Sequence, residues 1–340
     1  MKDILSLTRE ELTEEILALG EKRYRAEQIY KWLHIKRAYA FEEMSDLPAS
    51  LRSTLRENYI ICKITAVKTL ISKIDGTRKY LFELSDGECI ETVFMEYKHA
   101  YSLCISSQVG CRMGCKFCAS GLDGLVRNLT PAEMLSQVYE VERLTGKTIG
   151  SLVMMGIGEP LDNYDNTIKF LTLLSDENGK NLSLRHVSLS TCGLVPKIQE
   201  LCKLRLGLTL SVSLHQADNT KREDIMPVTK AYNIDELIAA CREYISYTGR
   251  RISFEYTVIS GVNDSKEDAQ KLSKLLRGLN CHVNLIPANN VTETNYYNKK
   301  DSTRIFESYL LSAKIPVTIR RTLGSDINAA CGQLRRQSAE

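Results

Sequence analysis

Three cysteines stand at positions 111, 115 and 118, in the run CRMGCKFC. The CxxxCxxC spacing puts three thiols on one tight loop, and Gly110 and Gly114 let the backbone fold around whatever they hold. Zinc would need a fourth ligand, such as a histidine, from elsewhere in the chain. A [4Fe–4S] cluster suits the triplet better: each thiolate anchors one iron, and the fourth iron stays open to a substrate.

Other chemistry-bearing residues recur where short apolar runs end. MGIGEP (155–160) carries Gly156 and Gly158, which permit close approach of a ligand, and Glu159, which can accept from an ammonium. SLSTCG (188–193), SLH (213–215) and IPAN (286–289) add Ser190, Ser213, His215 and Asn289. Each alone is an ordinary polar loop residue; four such runs beside the triplet are hard to read as coincidence. Two more cysteines have unusual settings. Cys104 lies seven residues before the cysteine loop, and Cys331 lies in GSDINAACGQL, where small neighbours leave a thiol accessible. Residue type alone gives Cys331 a structural role equally well. Cys62, Cys89, Cys192, Cys202, Cys241 and Cys281 sit singly inside apolar patterns and read as small buried hydrophobes.

These residues need a scaffold. From about residue 101 short apolar strands appear at YSLCIS, SLVMMG, HVSLS, LTLSVSL, ISFEYTVI and HVNLIP, with helical patterns between them. One such pattern is Ile234, Leu237, Ile238, Cys241, Tyr244 and Ile245. A helix at 302–313 and a last strand, PVTIR (316–320), follow. Strand–helix units in series predict an α/β fold: an open partial (β/α)6 barrel, short of the eight strands that close one. Ligands of such a barrel sit at the strand ends, where the polar runs fall.

Ahead of the barrel, residues 61–97 alternate in β-rich runs, KYLFEL and CIETVFM, broken by DG at 75–76 and 86–87, and predict a hairpin linker. Residues 1–60 show helical spacing at Leu12, Ile16, Leu19, Ile29 and Leu33, and again at Leu51 and Leu55. Within them KRYRAEQIYKWLHIKR (22–37) holds six Lys or Arg against one Glu, with Tyr24, Tyr30 and Trp32 interleaved. A solvated helix face and an RNA-backbone contact both fit it. The expected division is therefore a helical module (1–60), a β linker (61–97) and a core (98–340).

The 340 residues are enough for a large core plus a small module, and the net charge of +3 excludes a globally basic nucleic-acid binder, so any such contact is local. The opening MKDILSLTREELTEE has acids where a signal peptide needs an apolar run, and no stretch approaches the roughly 18 apolar residues of a membrane span. A cytoplasmic protein with no membrane partner is expected. In that reducing compartment grouped cysteines mean metal or catalysis.

At the triplet the chain resembles the radical S-adenosylmethionine (SAM) superfamily, whose signature is this cysteine spacing after the first strand of a partial barrel. The resemblance implies that SAM chelates the open iron through its amino and carboxylate groups. One electron then yields methionine and a 5′-deoxyadenosyl radical, with Phe117 near the SAM adenine. SSQVGCRMGCKFC, MGIGEPLDN, LSTCGLVP, SLH, GVND, NLIPAN and DINAACGQL narrow the likeness. Over essentially its whole length the sequence resembles the RlmN/Cfr family of methyl synthases of 23S ribosomal RNA. That implies Cys331 as an S-methylated carrier, Cys104 as the thiol that resolves it through a disulfide, and Glu91 as a proton acceptor. It implies Gly158, Glu159, Ser190, Ser213, Leu214, His215 and Asn289 as SAM contacts. By residue type alone, Glu91 is an ordinary strand-face carboxylate and His215 a hydrogen-bonded histidine.

The implied reaction has a chemical reason. SAM delivers an electrophilic methyl, and an adenine ring carbon is electron-poor, so polar transfer between them is barred and a carbon radical escapes the mismatch. The resemblance further implies two SAM per turnover and an external electron donor such as flavodoxin or ferredoxin. GEPL at 158–161 and LIPAN at 285–289 look like the RlmN branch, which makes 2-methyladenine in 23S rRNA and in tRNA, 3′ of the anticodon. A Cfr-like methylation at C8 is the alternative, and a zinc-stabilised RNA-binding protein is the alternative from another class.

Overall fold

The computed structural model describes residues 1–98, 100–289 and 296–335. Lys2–Asp3 (β1) pairs with Tyr59–Ile60 (β2), enclosing three helices: Arg9–Ala18 (α1), Arg23–Lys31 (α2) and Ala49–Asn58 (α3). Thr8 and Glu11 form a capping box at the start of α1, each accepting the other's backbone N–H. Leu12, Ile16, Ile29, Leu33, Leu51 and Leu55 are all buried, as their spacing predicts.

Thr65–Ile71 (β3), Arg78–Glu83 (β4), Cys89–Tyr97 (β5) and Ala100–Cys104 (β6) run antiparallel in succession. Gln108–Gly110 (β7) and Leu125–Asn128 (β8) pair across the cysteine loop. After Pro131–Thr145 (α4) come Ser151–Met154 (β9), Tyr164–Ser175 (α5), Val187–Thr191 (β10), Val195–Lys203 (α6) and Thr209–Ser213 (β11). Then follow Asn219–Ile225 (α7), Ile234–Thr248 (α8), Ile252–Val258 (β12), Lys266–Leu276 (α9), Cys281–Pro287 (β13), Ser302–Ser312 (α10) and Val317–Ile319 (β14). One ten-stranded sheet results, in the order β14-β13-β12-β11-β10-β9-β6-β5-β4-β3. Its parallel part holds seven strands, and every strand expected after residue 100 is among them. The hairpin segment is more than a connector, because β3–β5 extend the sheet directly and set Val93 opposite Cys104.

The parallel strands alternate with a purpose. Leu189, Leu210, Val212, Phe254 and Val283 are buried in the apolar core, in the layer where the helices pack. The residues between them are Ser188, Ser190, Ser211, Ser213, Ser253, Glu255 and Asn284, which line cavities on the other face. Period-two alternation sends each set to its own face. Small and polar inner side chains leave the sheet concave and hollow rather than filled.

The N-terminal helices share one apolar core with the barrel helices. Polar contacts reinforce the junction: Tyr30 to Asp176, His34 to Tyr139 at 3.0 Å, Tyr39 to Glu140 at 2.6 Å, and an Arg37–Glu142 ion pair. Arg37 therefore works at this junction, Arg25 bonds Gln28 and Asp46, and Lys36 lies 3.5 Å from the centre of the Trp32 ring, so three of the six cations in 22–37 are already engaged. Lys22, Arg23, Lys31 and Lys36 are exposed. Among the described residues no helix is long and apolar enough to cross a membrane.

Candidate active site

The cysteine loop hangs between β7 and β8, and its geometry demands glycine at position 110. There φ is +75°, and an added Cβ would sit 1.9 Å from the carbonyl oxygen of Gly124. The backbone N–H of Cys111 donates to that oxygen, and the N–H of Lys116 donates to the Ile225 carbonyl, so the loop is closed at its neck and clipped near its middle. Cys111, Cys115 and Cys118 are half-buried free thiols facing one cavity of about 150 Å³. Burial pushes the Cys111 thiol up to about 12 and raises Cys115 and Cys118 as well. Among the described residues no three His, Cys, Asp or Glu side chains group as ligands of a single metal ion. Three thiols on one wall, each able to take a separate iron, fit a cluster with an open corner.

The opposite wall comes from the strand ends. Gly158 has φ +107°, and a Cβ there would meet Gln108 at 2.6 Å. Glu159 is buried; its oxygens accept the N–H groups of Leu161 at 3.0 Å and Cys192 at 2.7 Å. Burial raises its pKa, and those N–H groups pull it back. His215 is held by three contacts: its Nδ1 accepts the Thr257 N–H at 2.8 Å, its carbonyl accepts from Asn263 at 2.7 Å, and its own N–H donates to the Glu255 carbonyl at 3.3 Å. The ring proton is therefore on Nε2, on a ring that lines the cavity, and burial pushes the imidazole down to about 3, so it stays neutral. Phe117 packs edge-on against it at 4.7 Å. Ser190, Ser213 and Asn289 line the same cavity.

Leu214 does not. Its side chain is in the core, its N–H donates to the Glu255 carbonyl and its own carbonyl accepts from Arg222. Cys192 is a buried free thiol, as its apolar setting predicts; it also lines this cavity, and its main chain fixes Glu159 and Arg222. Arg222, fully buried, reaches the carbonyls of Leu214, Ser213 and Cys192 and the Thr229 hydroxyl. Nothing in the local sequence marks it.

Cys331 lines this cavity and also a second, of about 40 Å³, which holds Cys104. Arg320 and Asn289 line both, and the Asn289 amide donates to the Cys331 carbonyl at 3.0 Å. Burial pushes the Cys104 thiol up to about 12, with Arg320 opposing it. Arg320 closes the last strand, a strand-end position that the same logic as for Ser190 or His215 would have flagged. All eleven cysteines are free thiols, Cys104 and Cys331 included. Glu91 lines neither cavity: it is buried, with Lys79 at 2.7 Å and the Arg335 N–H at 2.9 Å.

A partial barrel with a three-cysteine loop at the end of its first parallel strand defines a radical SAM protein, and residues 105–272 match the Radical SAM superfamily. Residues 2–61 match the ribosomal RNA large subunit methyltransferase N-terminal domain. A probable dual-specificity RNA methyltransferase RlmN of Lachnospira eligens is 50% identical, covering 100% of this chain and 97% of that one. The protein of the same name from Alkaliphilus oremlandii is 52% identical over 98% of both chains. A crystal structure of a radical SAM methyltransferase from Sphaerobacter thermophilus superposes with a TM-score of 0.94, at 43% identity over 100% of both. The chain belongs to the RlmN family of radical SAM methyltransferases. Its cofactors are those of the superfamily, a [4Fe–4S] cluster and SAM.

Proposed function

We propose that the chain methylates C2 of adenine in 23S rRNA and in tRNA at the adenine 3′ of the anticodon, with Cys331 as methyl carrier. One observation carries this reading: Cys331 lines both cavities, the one with the cysteine triplet and the one with Cys104. A carrier must be charged on one side and emptied on the other.

Cys111, Cys115 and Cys118 hold the cluster; Gly158, Glu159, Ser190, Ser213, His215 and Asn289 receive SAM, with Leu214 shaping the backbone behind them. When bound, the cluster supplies the electron that splits SAM and so the radical that draws hydrogen from a methyl group on Cys331. The remaining steps fall to the chain. The Cys331 thiolate first displaces the methyl group from the sulfonium of one SAM, which makes two SAM per turnover. Once the carrier carbon has joined the ring, Glu91 takes the ring proton and the surplus electron left on the ring would return to the cluster, so that a closed-shell thioether joins enzyme and base. The Cys104 thiolate then attacks the Cys331 sulfur: an S–S bond forms, the S–C bond breaks, and its electron pair leaves with the carbon, which takes a proton to become the product methyl. An external thiol reductant reopens the disulfide.

Residues 1–60 serve as the RNA-contacting module, 61–97 as the β linker and 98–340 as the core. Lys22, Arg23, Lys31 and Lys36 form the exposed basic side of the module. Two such different RNAs suit recognition of backbone and shape, with the target base unstacked into the site. The setting is the cytoplasm, and flavodoxin or ferredoxin suits the electron supply. Mass spectrometry of nucleosides from RNA treated with the reconstituted enzyme tests the reading. 2-Methyladenosine is expected; 8-methyladenosine would move the target to the other carbon, and unmethylated adenosine throughout would overturn the proposal.

A further inference from the structure

Lys79 is the second residue of β4, outside both cavities, with its side chain 6% exposed. A buried ammonium needs partners, since an unpaired one costs several kcal/mol. Lys79 has two. Its Nζ lies 2.7 Å from Glu91 Oε1 and donates to the carbonyl of Asn328 at 3.0 Å. The other oxygen of Glu91 accepts the backbone N–H of Arg335 at 2.9 Å. Asn328 precedes Cys331 by three residues and Arg335 follows it by four, so the pair grips the Cys331 segment on both flanks.

A stabilising role alone explains this poorly, because buried ion pairs contribute little net stability against apolar residues of the same volume. The surroundings point to control of Glu91. Burial pushes its carboxyl up, and Lys79 is the foremost group pulling it back. Lys68 adds a weaker pull. From the C-terminal segment comes the Arg335 backbone, whose guanidinium is turned to Asp123, and on β6 the Cys104 thiol stands opposite Val93.

We propose that Lys79 is a positioning residue for the proton-transfer step: it keeps Glu91 an ionised carboxylate and ties it to the segment that carries Cys331. The inference rests on the reading of Glu91 as proton acceptor. In the step, the ring C–H gives its proton to the carboxylate, both electrons of that bond stay with the base, and Glu91 becomes a carboxylic acid. Lys79 keeps its proton throughout. The contact that must break to expose Glu91 is the one to the Arg335 N–H; the Lys79 contact persists.

The test uses the reconstituted full chain as Lys79→Met, Lys79→Arg and Glu91→Gln. Lys79→Met should cleave SAM and methylate Cys331 within about twofold of wild type, both read by mass spectrometry. It should lose roughly 10²-fold in RNA methylation, the scale of a general base. Its pH–rate profile should have the acid limb displaced upward by about one unit or more, the direction expected when a cation leaves a carboxylate. Lys79→Arg should recover most of the rate and the wild-type limb. Where Lys79→Met fails to fold, Lys79→Gln and selectively ¹³C-labelled glutamate in the wild-type protein report the same quantity, with Glu91→Gln assigning the signal. An inactive Glu91→Gln beside a Lys79→Met of normal rate and unshifted limb overturns the inference alone. A fully active Glu91→Gln overturns the reading of Glu91 and the inference with it.

Discussion

The two cavities that meet at Cys331 are built differently. The larger is made from a loop and strand ends whose neighbours are close in sequence or joined by the parallel ladder. Gly158, Glu159, Ser190, Ser213 and His215 each sit where a strand gives out, and main-chain N–H groups fix the side chains of Glu159 and His215. The smaller is assembled from distant pieces: Val93 and Met95 of β5, Cys104 of β6, and Leu323, Ala329, Cys331 and Leu334 of the C-terminal segment. That segment has little regular structure and is strapped down by single hydrogen bonds. Ala119 N–H reaches Gly332, Ser120 reaches Leu334, Asn289 reaches Cys331, and Asp326 accepts from Ser72 and Lys73. Ladder-built walls give a fixed cofactor seat. A strap of separate bonds suits the part that must hold a covalent carrier and release it.

The contrast breaks most sharply at the triplet. Replacing any one of Cys111, Cys115 or Cys118 by Ala should abolish SAM cleavage and lower bound iron and sulfide, read by 5′-deoxyadenosine formation and metal analysis. Wild-type cleavage by all three variants would remove the fixed cofactor seat from the account. Next comes Gly158→Ala, where a Cβ meets Gln108 at 2.6 Å on a backbone of φ +107°. We expect a loss of about 1–3 kcal/mol in denaturant unfolding, from strain and overpacking. A tenfold or greater weakening of SAM binding by calorimetry should accompany it, whereas Cys104→Ala should bind SAM normally.

What was legible follows the same division. The strands, the helix faces and the cavity wall could be read because period-two and period-3.6 patterns and strand-end chemistry are local properties. Cys104 beside Val93, Lys79 beside Glu91 and Arg320 between the cavities could not, because sheet order and the path of residues 320–335 bring them together. Cys192 is buried as its apolar setting predicts, but that setting says nothing of the cavity it borders. Leu214 came from family likeness, and its side chain points into the core.

Two smaller effects concern how the N-terminal helices are held and what they face. Burial pushes His34 down to about 3, and its Nδ1 shares a hydrogen bond with Tyr139. The unfolded chain binds that proton near 6.5, so the stability it lends is whole above that pH and is lost as pH falls toward 3. His34→Gln should flatten the stability–pH slope in that window by up to about 1.4 kcal/mol per unit. An unchanged slope would mean that His34 is protonated in place. The exposed cations come last: changing Lys22, Arg23 and Lys31 together to Gln should reduce the log–log salt slope of RNA binding by roughly 0.7–0.9 per lost phosphate contact. An unaltered slope would make 22–37 a solvated face.

The central claim is that Cys331 carries the methyl group and Cys104 releases it. Denaturing gels of Cys331→Ala and Cys104→Ala, each incubated with SAM, reductant and ribosomal RNA, address it directly. Cys331→Ala should give neither methylated RNA nor adduct, since no carrier exists for the radical to form on. Cys104→Ala should accumulate an enzyme–RNA adduct that survives denaturation and vanishes with RNase. Normal turnover by Cys104→Ala, or an adduct from Cys331→Ala, would contradict the account.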